Sequence, residues 1–402
     1  MKIYILILQF VIFIFVSGKN FALQQSDTSE INHYNEMFAS LLNSNEDSAK
    51  LIAEKSLYLS KKCNYQKGLA SSLNNLGLYY STKKKYDTAL KYYFESLSFF
   101  KEIKENKSIS IVLANIANYY NAEGNFTKAL FYFQSSLNYA RFAKDDKRIA
   151  VLLGNIGALY YNSGNYIQAL KFYQSSLDVR NKNDDKKGSA YILNNIGALY
   201  DEQKNYQKAL EYYKKALSIR EEIKDEKGLF GIYNNIGVAL SKTEREQEAL
   251  DYFFKAQKIA ENINSISGLA SVHNNIGDCY SKLNQPEKAI LSYNKAEAMY
   301  LKTEDQSGLA ILFINYGNYY REKKQYQKAL NFYLKSLHLS QGEQNPEIIK
   351  NACNYLSEVY SSQNDFANAW KYKRLYSQIS DSILNTESIK QVANLQAGYE
   401  AE

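Results

Sequence analysis

The strongest constraint on this chain is that it repeats itself every forty residues without a slip. The segments LNNLGLYY (73–80), LANIANYY (113–120), LGNIGALY (153–160) and LNNIGALY (193–200) open the series. YNNIGVAL (233–240), HNNIGDCY (273–280), FINYGNYY (313–320) and the weaker CNYLSEVY (353–360) continue it. Each is followed by a second shared segment, from YDTALKYY (86–93) to FANAWKYK (366–373). A fixed period of this kind means one supersecondary unit stacked on copies of itself, because a single unit cannot bury its own apolar face.

Within a unit the spacing is that of two packed helices. Leu73, Leu76, Gly77 and Tyr80 fall at i, i+3, i+4 and i+7, one face of a helix. Ala89, Tyr93 and Ser96 form the facing stripe of a second helix, reached through a polar link, Ser81 to Lys85. Small residues recur at both places: Gly157, Gly197, Gly237, Gly277 and Gly317 in the first helix, and Ala129, Ala169, Ala209, Ala249, Ala289 and Ala329 in the second. They let the paired helices approach, and aromatic side chains fill the remaining space.

This pattern resembles the tetratricopeptide repeat, L-G-x2-Y followed by A-x3-F. The resemblance implies an all-α fold: a right-handed superhelical solenoid of antiparallel helix pairs, about eight to nine units plus a C-terminal helix. The usual unit has about 34 residues. The extra six are expected between the second helix and the next first helix, around Ile103–Ile109. The expected organisation is a signal peptide at 1–18 (alternative cleavage after 22), a degenerate N-terminal capping repeat at 31–66, eight forty-residue units at 67–378, and a capping or junction helix at 379–402.

The signal peptide rests on Lys2 followed by the apolar run Ile3–Val16, shorter than the roughly 20 residues that a membrane helix needs. Export to the periplasm or another extracytoplasmic space is the expectation, an uncleaved signal anchor the alternative. Basic and acidic side chains number 49 and 42, a net +7 spread in mixed-sign turns such as Asp145-Asp146-Lys147-Arg148. A nucleic-acid binder would gather its cations on one stripe, so no nucleic-acid partner is expected. Cys63, Cys279 and Cys353 are too few and too distant for a disulfide framework. His33, His273 and His338 are isolated, and no His, Cys or carboxylate set has metal spacing. No nucleophile elbow or phosphate-cradling glycine loop occurs. The chain is therefore expected not to be an enzyme and to need no cofactor or metal.

One feature exceeds the packing pattern. Asn75, Asn115, Asn155, Asn195, Asn235, Asn275 and Asn315 all stand two residues before the repeat glycine, or before Ala117 in its place. This position lies roughly 150° around the helix from the apolar stripe. Asparagine inside a helix costs up to about 0.7 kcal/mol relative to alanine, so something must offset it. Two offsets are open: amides that bond the neighbouring repeat, or a ladder on the inner wall that bonds an extended peptide. Asn74, Asn194, Asn234 and Asn274 thicken the strip. The Lys and Arg of a charged clamp for a terminal carboxylate are missing from this wall, so such a carboxylate is not the expected ligand.

The stretch from Tyr376 onward looks like the junction after exported tetratricopeptide arrays of Bacteroidetes-type sensor histidine kinases and LuxR-type helix-turn-helix regulators. That resemblance implies a protein or peptide partner in the concave groove and a signalling partner at the membrane, a kinase or regulator. The alternatives are a freestanding periplasmic assembly adaptor and a truncated fragment of a membrane sensor kinase.

Overall fold

The backbone repeats at half the period of the side chains. The computed structural model describes residues 28–342 and 345–399, with side chains to residue 383, and the expected signal peptide lies outside them. From Asn64 to Gly164 and on to Lys324, every twentieth residue adopts a positive φ. Each ends a helix that is 17 residues long in all but one case, among them Gln66–Thr82, Tyr86–Glu102, Asn106–Ala122 and Phe126–Phe142. At Lys84 (φ 57) the turn closes with the Lys85 amide donating to the Tyr80 carbonyl, 2.9 Å, which satisfies the end of the helix. The next residue often caps the following helix: the Asn205 side chain accepts from the Lys208 amide at 3.2 Å, and Asp185 accepts from Gly188 at 2.9 Å.

The six extra residues of the unit are therefore not in a connection around Ile103–Ile109. Ile103 and the two residues after it form the same three-residue turn as Lys83 to Lys85, and Ile109 is buried in the next helix. Both helices of the pair are lengthened instead. Only Gly124 and Gly164 mark these turns with glycine; elsewhere the left-handed residue is Lys, Asn, Asp or Glu, and composition gives no sign of it.

The repeat glycine sits under a ring of the partner helix. A Cβ added at Gly77 would lie 2.5 Å from Tyr93, and one at Gly237 would lie 2.6 Å from Phe253. Gly197, Gly277 and Gly317 face Tyr213, Tyr293 and Tyr333 in the same way. The repeat alanines of the second helices are fully buried. A second ring contact crosses the pair beside the first: Tyr80 stacks on Tyr92 at 5.5 Å, Tyr120 on Tyr132 at 5.4 Å and Tyr200 on Tyr212 at 5.5 Å. Hydroxyls close the seam, as where Ser96 donates to the Ala70 carbonyl at 2.7 Å. Most of the tyrosines quoted from the repeat are packing residues, as their spacing implies.

The chain forms two compact units, parted between Leu159 and Tyr160. Among the described residues each is all-helical and stacks antiparallel pairs, with a first helix also touching the first helix of the next pair. In the N-terminal unit an atypical pair, 28–44 and Glu46–Lys62, precedes the full repeats, and Asn45 alone joins its helices. The last helix, Phe366–Tyr399, runs 34 residues without a break at 379. Neither glycine nor proline occurs between Phe366 and Leu395 to end it.

Candidate binding wall

The asparagines of the first helices meet across successive repeats. Asn115 Nδ2 donates to Asn74 Oδ1 at 2.9 Å; Asn235 bonds Asn194 at 3.0 Å, Asn275 bonds Asn234 at 2.9 Å, and Asn315 bonds Asn274 at 2.9 Å. Asn75 makes the corresponding bond to Asn35 at 3.1 Å. The residue just before each ladder asparagine is thus the acceptor for the next repeat. The register accounts for Asn155 and Asn195: forty-one residues before them stand Ala114 and Gly154, which carry no side-chain acceptor. All seven asparagines are buried or half-buried. Neighbour bonding is one of the two offsets left open by the sequence, and here it is realised in five rungs. The Asn35 amino group is buried without a partner, but in the other four rungs the donor keeps its amide oxygen and the acceptor its amino group, so those amides retain both hydrogen-bonding roles.

Two pockets open on this wall at equivalent places, one in each unit. The N-terminal one, about 390 Å³, is lined by Tyr65, Lys67, Asn74, Asn75, Phe100 and Ile111 among others. The one in the C-terminal unit, about 630 Å³, includes Arg180, Asp185, Lys187, Tyr191, Arg220 and Asp225, with Asn194 of the ladder on its rim and Gly188, Gly228 and Gly231 on its floor. Arg180 pairs with Asp185 and Arg220 with Asp225, and each arginine is only 8% exposed. Their guanidinium groups lie over Gly188 and Gly228, where any side chain would collide with them. Lys187 reaches within 3.9 Å of Asp225.

This corrects the expectation that the wall lacks Lys and Arg. The arginines come from the last turns of the second helices Tyr166–Lys182 and Tyr206–Glu222. The lysines come from the first turns of the following first helices. Periodicity along the first-helix stripe alone does not reveal them.

Away from the pockets, burial shifts several ionisable groups. Burial pushes the Cys279 thiol up to about 12 and the Cys353 thiol up to about 11, so both stay protonated near neutrality. His273 packs in the core place that Leu73, Leu153 and Phe313 fill elsewhere, and burial lowers its pKa. Among the described residues no three His, Cys, Asp or Glu side chains are placed to hold a metal, and no helix is long and apolar enough to cross a membrane.

Stacked antiparallel pairs, a small residue under an aromatic ring at each seam, and a polar first-helix wall define a helical-repeat protein. The chain belongs to the tetratricopeptide repeat family, whose pattern matches residues 68–142, 148–222, 229–302 and 310–342. No curated protein matches its sequence. Among solved structures it is similar to the apo form of RapI (13% identity, TM-score 0.69, covering 90% of this chain and 99% of that one). It is also similar to the apo form of the quorum sensor NprR from B. thuringiensis (15%, 0.65, 89% and 99%). A third is a Rap protein complexed with Competence and Sporulation Factor (15%, 0.61, 90% and 99%). At such identities the likeness is one of fold.

Proposed function

We propose that this chain is an exported, non-catalytic scaffold whose first-helix wall binds an extended peptide or protein segment, and that it is the sensor part of a signalling system. The observation that carries the binding reading is the first-helix face of each unit: buried or half-buried amides, five pairs of them joined between neighbouring repeats, with an open pocket in each unit. An extended backbone presents alternating carbonyl and N–H groups, which the uncommitted amide atoms of the rungs complement. The shared fold with a Rap conjugation gene regulator solved in complex with the Phr* peptide, and with a Rap protein complexed with Competence and Sporulation Factor, supports a peptide as the ligand. Export rests on the apolar run Ile3–Val16, and the sensor role on the likeness of the C-terminal stretch to a kinase junction.

Immobilised full chain exposed to a random nonapeptide library tests the wall. It enriches a sequence-biased subset, and the Asn235→Ala, Asn275→Ala double variant loses that enrichment while remaining folded. Recovery of an unbiased library by the unsubstituted chain overturns the peptide-groove reading. A reporter enzyme active only outside the cytoplasm, fused after residue 30, tests export; an inactive fusion overturns that part.

A further inference from the structure

The last helix, Phe366–Tyr399, carries an uncovered stacking face near its start. The fifth residue of a second helix is apolar, and Leu130, Leu210, Leu250 and Leu330 at that place are at most 5% exposed. The cover comes from the next unit: Leu330 shares its core with Ala352, Cys353 and Leu356 of the first helix Pro346–Ser362. Trp370 holds the same place in the last helix and is 65% exposed, with Phe366 one turn before it at 66%. Among the described residues, no first helix lies over this face as Pro346–Ser362 lies over Leu330.

Further along, the same helix carries the sequence of a first helix. VANLQAGY (392–399) follows LANIANYY (113–120) at five places: Val392 for Leu113, Ala393 for Ala114, Asn394 for Asn115, Leu395 for Ile116 and Tyr399 for Tyr120. Between Tyr86–Glu102 and Asn106–Ala122 a turn with Lys104 at φ 56 folds one helix back on the other. From Phe366 to Tyr399 the helix continues without such a turn. Val392 therefore stands about 33 Å beyond Trp370 along the axis, at 1.5 Å per residue. A straight helix cannot lie along itself, so this segment does not reach the Trp370 of its own chain.

We infer that the last helices of two copies of this chain pair antiparallel, each laying its 392–399 segment over the other's exposed Phe366 and Trp370. The exchange reproduces the contact that every earlier second helix makes with the first helix after it. Tyr86 meets Tyr119 at 6.1 Å in one such seam, and the equivalent places are Phe366 and Gly398. Their midpoint, residue 382, is the middle of the helix, so one two-fold axis covers both exposed faces at once. Charge agrees with this direction. Residues 366–382 carry three basic side chains and one acidic, a net +2; residues 383–402 carry one basic and three acidic, a net −2. Antiparallel pairing sets unlike halves together at both ends, whereas parallel pairing sets like on like. A further ladder rung is available as well: Asn354 stands at the place of the acceptor Asn274, and Asn394 at the place of the donor Asn315. The surface is separate from the binding wall, and the inference does not rest on the peptide reading.

Sedimentation equilibrium of the full chain over a concentration series tests the pairing. The expected mass is twice that of one chain. Trp370→Glu and Leu395→Glu, made separately, each weaken the dimer by about tenfold or more, the scale of losing one apolar anchor at an interface. Trp370 is exposed in the single chain, so its substitution leaves the circular dichroism and melting temperature of the dissociated protein unchanged. Direction is read by cross-linking with a short bismaleimide in a Cys63→Ser background, since Cys279 and Cys353 are buried. Phe366→Cys combined with Gly398→Cys links two chains, and Gly398→Cys alone does not. A chain that stays monomeric at every concentration overturns the inference, as does a dimer indifferent to either glutamate substitution. Linkage through Gly398→Cys alone would mean parallel tails and overturns it too.

Discussion

The two wall pockets lie 120 residues apart in the sequence register, and eight of the twelve lining positions of each have a counterpart in the other. Lys67 corresponds to Lys187, Asn74 to Asn194, and the Lys67–Glu105 pair, 3.3 Å apart, to Lys187 and Asp225. The decisive change is Phe100 to Arg220, accompanied by Ser108 to Gly228 and Ile111 to Gly231. The first pocket is floored by a buried ring; the second holds a buried cation and a vacant helix position. Same backbone, different chemistry: the seam that holds a pair together tolerates little change, whereas the wall between pairs can be rewritten one unit at a time.

The largest test of that contrast is at Arg220. Arg220→Ala leaves Asp225 without its guanidinium and is expected to cost about 3 kcal/mol in urea unfolding. Arg220→Phe, which copies the first pocket, restores packing and is expected to cost less, since apolar replacement of buried ion pairs is often near neutral. Equal losses for the two substitutions would mean that the site needs the ion pair itself, and the pockets would not be interchangeable scaffolds.

The next effect separates seam from wall within one helix, Glu226–Ser241. Gly237→Ala drives a methyl group to 2.6 Å from Phe253, an overpacking expected to cost about 1–3 kcal/mol. Gly231→Ala enters open space and is expected to raise stability by about 0.5–1 kcal/mol through helix propensity. Thermal melts of opposite sign confirm the division; two losses would place Gly231 in the seam.

The seam was legible in the sequence and the wall only partly so, for a physical reason. Packing must recur in every unit, so Gly77, Ala89 and Tyr93 announced themselves by register. The ladder asparagines recurred too, yet their partners did not look like partners: Asn74 and Asn234 read as extra polar residues until the backbone placed them against Asn115 and Asn275. The arginine pocket was invisible because it departs from the repeat and joins residues of different helices. The lengthened helices were hidden for another reason: the left-handed turn residues such as Lys84 and Glu304 carry no glycine signal.

Removing single amides gives a smaller effect. Asn115→Ala leaves Asn74 without its donor and is expected to cost about 1 kcal/mol. Asn155→Ala removes an amide whose acceptor place is Ala114, and is expected to raise stability by up to about 0.7 kcal/mol. A loss at Asn155 equal to that at Asn115 would show that the amides stabilise the helix by something other than the rung.

The smallest effect is a dependence on pH, and it sits at the place that Leu73 fills beside the first pocket. His273 is 7% exposed, and burial, with Lys295 adding repulsion while Glu261 opposes it, lowers its pKa in the folded chain. The unfolded chain therefore binds a proton more readily there. Above the ordinary histidine value of 6.5 both states are neutral and His273 has no pH-linked effect; as pH falls below it, protonation favours unfolding and stability declines. His273→Leu, the residue used at 153 and 193, is expected to flatten the fall in melting temperature between about pH 7 and 5 without altering the plateau shape above it. An unchanged slope in that variant would place the acid sensitivity at groups other than His273.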